Sequence, residues 1–299
     1  MLDSIYRKFV IAGIVIIISI LLILLYLFYS KSVSIKVSGD QKKVRIITPD
    51  EQEIMNKPRP NINYMDGLDV IYWINLDRSP DRRKEMTRLF QNPAFQTVKV
   101  ERISAVDGKK PHTVYPYIKY MYKQKNDYEY ACMLSHLSTI HKFAQTTYDV
   151  ALITEDDVTL EFKPYWRKSI QEVINNAPSD WEVIQLCYII NNARQNPVNF
   201  KLYEKNIGNK CVSAAAYLIR NNAAKKLIND IYNGEKYELE DYIIHHADCY
   251  IFNKLNTYIY KFPYFIYKTN NDSLLHPEDL KHHERSKLKV LQMYKDIVS

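Results

Sequence analysis

Apolar and polar positions divide the chain into an uncharged block near its start, a stretch without period, and a long patterned region. From Phe9 to Tyr29 the chain is uncharged and almost wholly apolar. At about 1.5 Å per residue, such a block crosses a hydrocarbon core of about 30 Å. A cleaved leader has an apolar core of about 7–15 residues and ends at small residues. This block is longer and exits through Leu24-Leu25-Tyr26-Leu27-Phe28-Tyr29, so it predicts a retained transmembrane helix over 9–29. Residues 30–67 lack sustained periodicity and include Lys57-Pro58-Arg59-Pro60, which disfavours a helix and suits a spacer. The predicted organisation is a short tail (1–8), an anchor (9–29), a stem (30–67) and one large domain (68–299).

Within the domain, period-2 or continuous apolar runs alternate with helical spacing. Val70–Leu76, Val98–Ile103, Val150–Thr154, Trp181–Leu186 and Cys211–Ile219 read as strands. Ser79-Pro80 reads as a helix start, with Ser as N-cap and Pro at the first helical position. That helix runs through Met86, Leu89 and Phe90. Tyr130–Phe143 places Cys132, Met133, His136, Leu137 and Ile140 on one helical face, and another helix is predicted from Asn222 to Ile231. Strands alternating with helices imply a mainly parallel sheet covered on both faces.

The chemistry concentrates where strands end. Ala151-Leu152-Ile153-Thr154 runs straight into Glu155-Asp156-Asp157. In open α/β sheets ligands bind at the carboxyl ends of strands. Three carboxylates there repel one another, and a hard divalent cation, Mg2+ or Mn2+, relieves that repulsion. In extended chain Glu155 and Asp157 point to one side and can share an ion, while Asp156 points elsewhere. An acidic turn after a strand is the plain alternative, and the neighbouring motifs decide between the two. Asn75-Leu76-Asp77-Arg78-Ser79-Pro80-Asp81-Arg82-Arg83 follows the first strand, and a strand feeding a helix N-terminus rich in arginine suits phosphate. Asp107-Gly108 ends the second strand in a turn, where Asp107 either accepts from a ribose hydroxyl or a base or simply makes the turn. Ser135 and His136 are adjacent in a helix, so they face about 100° apart and form no nucleophile–base pair. The GxSxG elbow of a serine hydrolase is absent. Asp248 either caps a helix or serves as a late carboxylate, and His276 is a ligand that can return to the ion.

Composition narrows the classes. The chain has 299 residues, 46% of them hydrophobic, with Lys+Arg 41 against Asp+Glu 34. The positive excess is spread along the chain, with no basic run interleaved with aromatics, so no nucleic-acid partner is expected. Cys132, Cys187, Cys211 and Cys249 form no CxxC pair, which argues against a zinc knuckle and for buried free thiols. Arg7 and Lys8 precede the apolar block while Lys31, Lys36, Lys42, Lys43 and Arg45 follow it. Counted alone, that points the large domain to the cytosol, and the orientation stays open.

Taken in order, Ile74–Arg83, Arg102-Ile-Ser-Ala-Val-Asp-Gly108, Glu129-Tyr-Ala-Cys-Met-Leu-Ser-His136, Ala151–Val158, Ala216-Tyr-Leu-Ile219 with Ala224-Lys-Lys-Leu227, and Ala247-Asp248 resemble glycosyltransferase family 25. That family includes lipooligosaccharide and collagen-type sugar transferases and homologues in large DNA viruses. The resemblance covers about residues 69–276. It implies a GT-A-like (Rossmann-type) α/β fold with a mixed, mainly parallel sheet flanked by helices, here preceded by one transmembrane helix. It also implies a UDP-sugar donor, a hexose (galactose or glucose) moved to a hydroxyl of a glycan or protein acceptor, and Mn2+ or Mg2+. By motif match, Glu155 and Asp157 carry over as metal residues, joined by His276. Asn75, Asp77, Arg78, Arg82, Asp107, Ser135, His136 and Asp156 carry over to the donor site, and Asp248 and Asp157 to catalysis. Ala131 stands where the family usually has Gly, and Thr154 where it has an apolar residue. The expected setting is a single-pass, type II protein of the host secretory pathway or a virion membrane. The alternative is an inactive, anchored glycan-binding or virion-surface attachment protein. A membrane-bound nucleotidyltransferase or hydrolase shares the acidic strand end but not the rest of the series.

Overall fold

The computed structural model describes residues 34–36, 45–47, 52, 62–119, 127–239, 246–269 and 279–298. The chain forms two compact units, 1–57 with 297–299, and 58–296. In the first, Ser34–Lys36 pairs antiparallel with Arg45–Ile47, inside what the sequence suggests is an aperiodic stem.

The second unit is built on seven strands: β1 (Val70–Asn75), β2 (Lys99–Ser104), β3 (Val150–Glu155), β4 (Val183–Gln185), β5 (Tyr203–Lys205), β6 (Ala216–Arg220) and β7 (Thr257–Tyr260). Their order is β2-β1-β3-β6-β4-β7-β5. Strands β2, β1 and β3 run parallel. Strand β6 runs against both neighbours, β3 and β4. Strand β7 is parallel to β4, and β5 closes the edge antiparallel to β7. Five strands therefore point one way and two the other. The sheet is mixed, and its parallel character comes mainly from the three strands that bear the site.

Helix α1 (Pro80–Phe90) joins β1 to β2, and α2 (Asp127–Ala144) precedes β3. Successive side chains of β1 alternate between faces. Trp73 meets Phe90 of α1, ring centroids 6.0 Å apart, and Tyr72 meets Phe143 of α2 at 6.4 Å. The two helices therefore cover opposite faces of β1. On the α2 face Leu134, Leu137, Ile140 and Phe143 pack with Val70, Tyr72 and Ile153, and with Leu227 and Ile228 of α4 (Asn221–Ile231). Between these helices in the chain lies α3 (Ile170–Asn176), started by a capping box at Ser169 and Glu172. On the other face an aromatic row, Trp73, Phe90, Phe95, Phe265 and Trp166, fills the layer. Every residue of β1 is buried, as its unbroken apolar run requires for a strand covered on both faces.

Three expectations need correction. The run Cys211–Ile219 is two pieces: Cys211–Val212 pairs with Ile189–Ile190, while Ala216–Arg220 is β6. The break falls at Ser213, whose φ of 94° lies in a region that L-residues with side chains rarely adopt. Ser79 occupies the N-cap position of α1, but its side chain makes no capping hydrogen bond. Thirdly, the transmembrane helix and the single-pass placement built on it are withdrawn. The segment 9–29 lies outside the described residues, and among those described no helix is long and apolar enough to cross a membrane. The longest, α6 (Leu280–Val298), has 19 residues but bears Lys281, Glu284, Arg285, Lys287 and Lys289. What the structure describes is the mixed, Rossmann-like sheet with helices, which fits a GT-A-like arrangement.

Candidate active site

From β1 the chain goes to β2 on one side, then returns to β3 on the other. Such a reversal opens a crevice at the carboxyl ends of β1 and β3. The loops after these strands begin at Leu76 and Asp156, so the two acidic and basic motifs face each other by topology.

Asn75 is the hub between them. It is 1% exposed, and its amide donates to Asp156 Oδ2 at 2.6 Å while its carbonyl accepts from Arg102 Nε at 3.0 Å. Arg82, in the first turn of α1, forms an ion pair with Asp156 and stands 4.0 Å from Asp157. Asp77 accepts from Ser104 Oγ at 2.7 Å and from Arg102, ties that hold its carboxyl below the usual range, the Arg102 bond most of all. Arg78 Nε reaches both oxygens of Asp107, at 3.0 and 3.1 Å. Ser135 Oγ donates to Ala131 O and accepts the Val106 N–H at 2.9 Å, fixing the loop after β2 on α2. Gly108 makes that contact possible, because a Cβ there would come within 2.7 Å of Tyr128 Cα. Asn75, Asp77 and Ser135 thus act here as positioning residues, their polar atoms engaged with protein.

Of the remaining candidates, Arg78, Arg82, His136, Glu155, Asp156 and Asp157 border the crevice, Asp248 borders a wider space beside it, and Asp107 borders neither. Buried His136 bridges Tyr217 OH and Glu155 Oε1, each 3.1 Å away. Burial pushes Glu155 up, but the hydrogen bond and charge of His136, with Arg82, hold it below its ordinary value. Asp156 is raised by burial, against the pull of Arg82 and Asn75. Asp157 is pushed up to about 7 by burial and by the charge of Glu155, and its Oδ1 is buried with no hydrogen-bond partner. An orphaned carboxylate oxygen beside a second carboxylate is the setting a divalent cation satisfies, so the residues present fit one.

Asp248 lies in the first turn of α5 (Ala247–Lys254), not at its cap, which is His246. Its oxygens accept from Ser213 N at 2.5 Å and Cys249 N at 2.7 Å. The carboxylate so held pins the unusual Ser213 backbone, and both line the larger of the two cavities that meet at the end of β3, about 650 Å3. The smaller, about 140 Å3, is the crevice bounded by Asn75, Arg78, Val106, Gly108 and His136. Four residues line both: Arg82, Cys132, Glu155 and Asp157. His276 lies outside the described residues. The sequence reading missed Cys132, Tyr217, Arg102 and Ser213. Arg102, Cys132 and Tyr217 stand in segments that carry the family resemblance, but nothing local marks Cys132 and Tyr217 as more than core positions, and Ser213 lies outside every such segment.

Thr154, just before the acids, is fully buried and its Oγ1 has no partner. Leaving a hydroxyl unsatisfied costs about 1–3 kcal/mol. Thr154→Val, of the same shape, is expected to stabilise the protein by about 1 kcal/mol, read as a rise of about 2–4 °C in melting temperature. A fall would mean that the hydroxyl has a bonding partner in solution.

A family model described as "Glycosyltransferase family 25 (LPS biosynthesis protein)" matches residues 68–249. A Drosophila pseudoobscura pseudoobscura protein named "Glycosyltransferase 25 family member" is 34% identical over 123 residues, 38% of this chain and 19% of that protein. Mouse (Mus musculus) "Procollagen galactosyltransferase 2" is 32% identical over 133 residues, 40% of this chain and 21% of its own length. The chain thus spans about a fifth of the length of these curated relatives. A solved structure described as a glycosyltransferase involved in glycosylation of the major capsid of PBCV-1 aligns with TM-score 0.40 and 9% identity, over 73% of this chain and 98% of that one.

Proposed function

The chain belongs to glycosyltransferase family 25, and from that premise we propose that it transfers a hexose, galactose or glucose, from a UDP-sugar to a hydroxyl of a glycan or protein acceptor, assisted by a divalent cation. The observation that supports this most is the junction at Arg82, Cys132, Glu155 and Asp157, where a narrow crevice meets a wide cavity. A transferase needs donor and acceptor spaces that touch at the transferred group. Two curated relatives, from mouse and human, are named procollagen galactosyltransferases, which is the ground for galactose and a protein hydroxyl.

In this reading the nucleotide occupies the crevice between β1 and β3, with Arg78, Asp107 and the loop after β2 around it. Arg82 and the N-terminus of α1 face the diphosphate. Glu155 and Asp157 would hold the cation, which supplies positive charge against the departing nucleotide diphosphate. Asp156 stays neutralised by Arg82 and orients it. Asp248 presents its carboxylate to the wide cavity, to accept the acceptor's proton or to bind a sugar hydroxyl. The glycan-binding alternative gains nothing from the site, because a lectin has no use for an orphaned acid at a cavity junction. The test is transfer or donor hydrolysis by the full chain across a panel of UDP-, GDP- and CMP-sugars. Turnover confined to a UDP-hexose and abolished by EDTA is expected. Glycan binding without any nucleotide binding would overturn the reading.

A further inference from the structure

One of the four junction residues has no role in the scheme above. Cys132 stands one turn before His136 on α2, so the two side chains share a helix face. That face meets the end of β3. A Cys132 Sγ, a His136 ring nitrogen and a Glu155 carboxylate oxygen lie within 4.8 Å of one another. Asp157 is not part of that trio: the strand ends at Glu155 and Asp157 lies in the turn that follows, so strand alternation does not pair the two as the sequence suggests. His136 Nε2 stands 3.1 Å from Glu155 Oε1. Two donors bound to one ion, each at about 2.0–2.2 Å, sit about 3 Å apart. The other ring nitrogen, Nδ1, is hydrogen-bonded to Tyr217 OH at 3.1 Å. A ligating histidine normally has its free nitrogen anchored in this way, which fixes the ring and its tautomer.

We propose that Cys132, His136 and Glu155 bind a divalent transition ion at the junction of the two cavities, so that the cation site has sulfur, nitrogen and oxygen donors rather than oxygen alone. The inference rests on reading the end of β3 as a cation site, and not on sugar transfer. Its consequence is selectivity. A thiolate and an imidazole favour Zn2+, Co2+ or Fe2+, bind Mn2+ more weakly, and give Mg2+ and Ca2+ little. Asp157 then faces the ion's open side, where a diphosphate oxygen approaches.

The probe is Co2+ alone, added to the full chain with no nucleotide sugar present. A thiolate-to-cobalt charge-transfer absorption is expected in the wild type. It is expected to vanish in Cys132→Ser, with the Co2+ dissociation constant raised at least about tenfold. Cys249→Ser, which changes another thiol lining the wide cavity, is expected to keep the band. Circular dichroism of Cys132→Ser and of a second variant, Cys132→Ala, checks that the fold persists. Co2+ bound without a sulfur band, or bound by the Cys132 variants as tightly as by the wild type, overturns the proposal. That result leaves cation-dependent transfer standing if EDTA still abolishes turnover. A sulfur band in a chain without turnover upholds the site and sinks the transferase reading instead.

Discussion

Asp157→Asn is expected to lower sugar transfer by about 10²–10³-fold, the loss typical of removing one preorganised charge-stabilising group, while making the cation-free protein more stable at pH 8. The two effects share one cause. Asp157 has a carboxyl pushed up to about 7, from an ordinary 3.8, by burial and by Glu155. A folded-state value above the unfolded one means that the native protein holds its proton more tightly. Stability from this group is therefore full below about pH 3.8 and is lost as pH rises through about 7. Asparagine has no charge to bury. The variant and the wild type are expected to melt together near pH 4 in EDTA, and the variant higher at pH 8, by on the order of 2 kcal/mol after allowance for a side chain that is 29% exposed. Loss of transfer in a protein that is more stable cannot be attributed to misfolding. Equal activity of the two proteins would remove Asp157 from the chemistry.

The second large effect is at Arg82. Asp156 is 7% exposed, and its charge is balanced by Arg82 and the Asn75 amide. Arg82→Met keeps much of the apolar stem but leaves that carboxylate nearly alone. Breaking a buried pair from one side costs about 3–5 kcal/mol; with Arg82 24% exposed, about 2 kcal/mol is expected here. Burial already raises Asp156, and removing Arg82 raises it further. The destabilisation is thus expected to be smallest at low pH, where the carboxyl is protonated, and to grow as pH rises through the raised range. Thermal melts across that range read it directly. A pH-independent loss would mean that the arginine acts through packing alone. Affinity for UDP is expected to fall as well if, as proposed, the same guanidinium faces the diphosphate.

Much of this was legible in the chain. Strands β1, β2 and β3 and helices α1 and α2 announce themselves by apolar period, and their order places Asn75, Asp77, Arg82 and the acidic triplet at one end of the sheet. The insertion of antiparallel β6 between β3 and β4 was not legible, because strand direction is set by pairing partners far away in sequence. Short β5 and β7 lack a long enough run to show a period. The triplet was read as a cation site from alternation, but alternation says nothing of what a neighbouring helix brings. Cys132 and His136 occupy apolar-looking helical positions, and only the packing of α2 against the end of β3 turns them toward Glu155. In the same way Asp248 reads as a cap from local pattern, and its bond to Ser213, 35 residues away, becomes visible only in the fold.

The most direct measurement is a calorimetric titration of the full chain with UDP, with and without Mn2+, in the wild type and in Asp157→Asn. If a cation beside positions 155–157 neutralises the diphosphate, Mn2+ tightens UDP binding at least about tenfold in the wild type and has little effect in the variant. The same affinity for UDP in Mn2+ and in EDTA would contradict it.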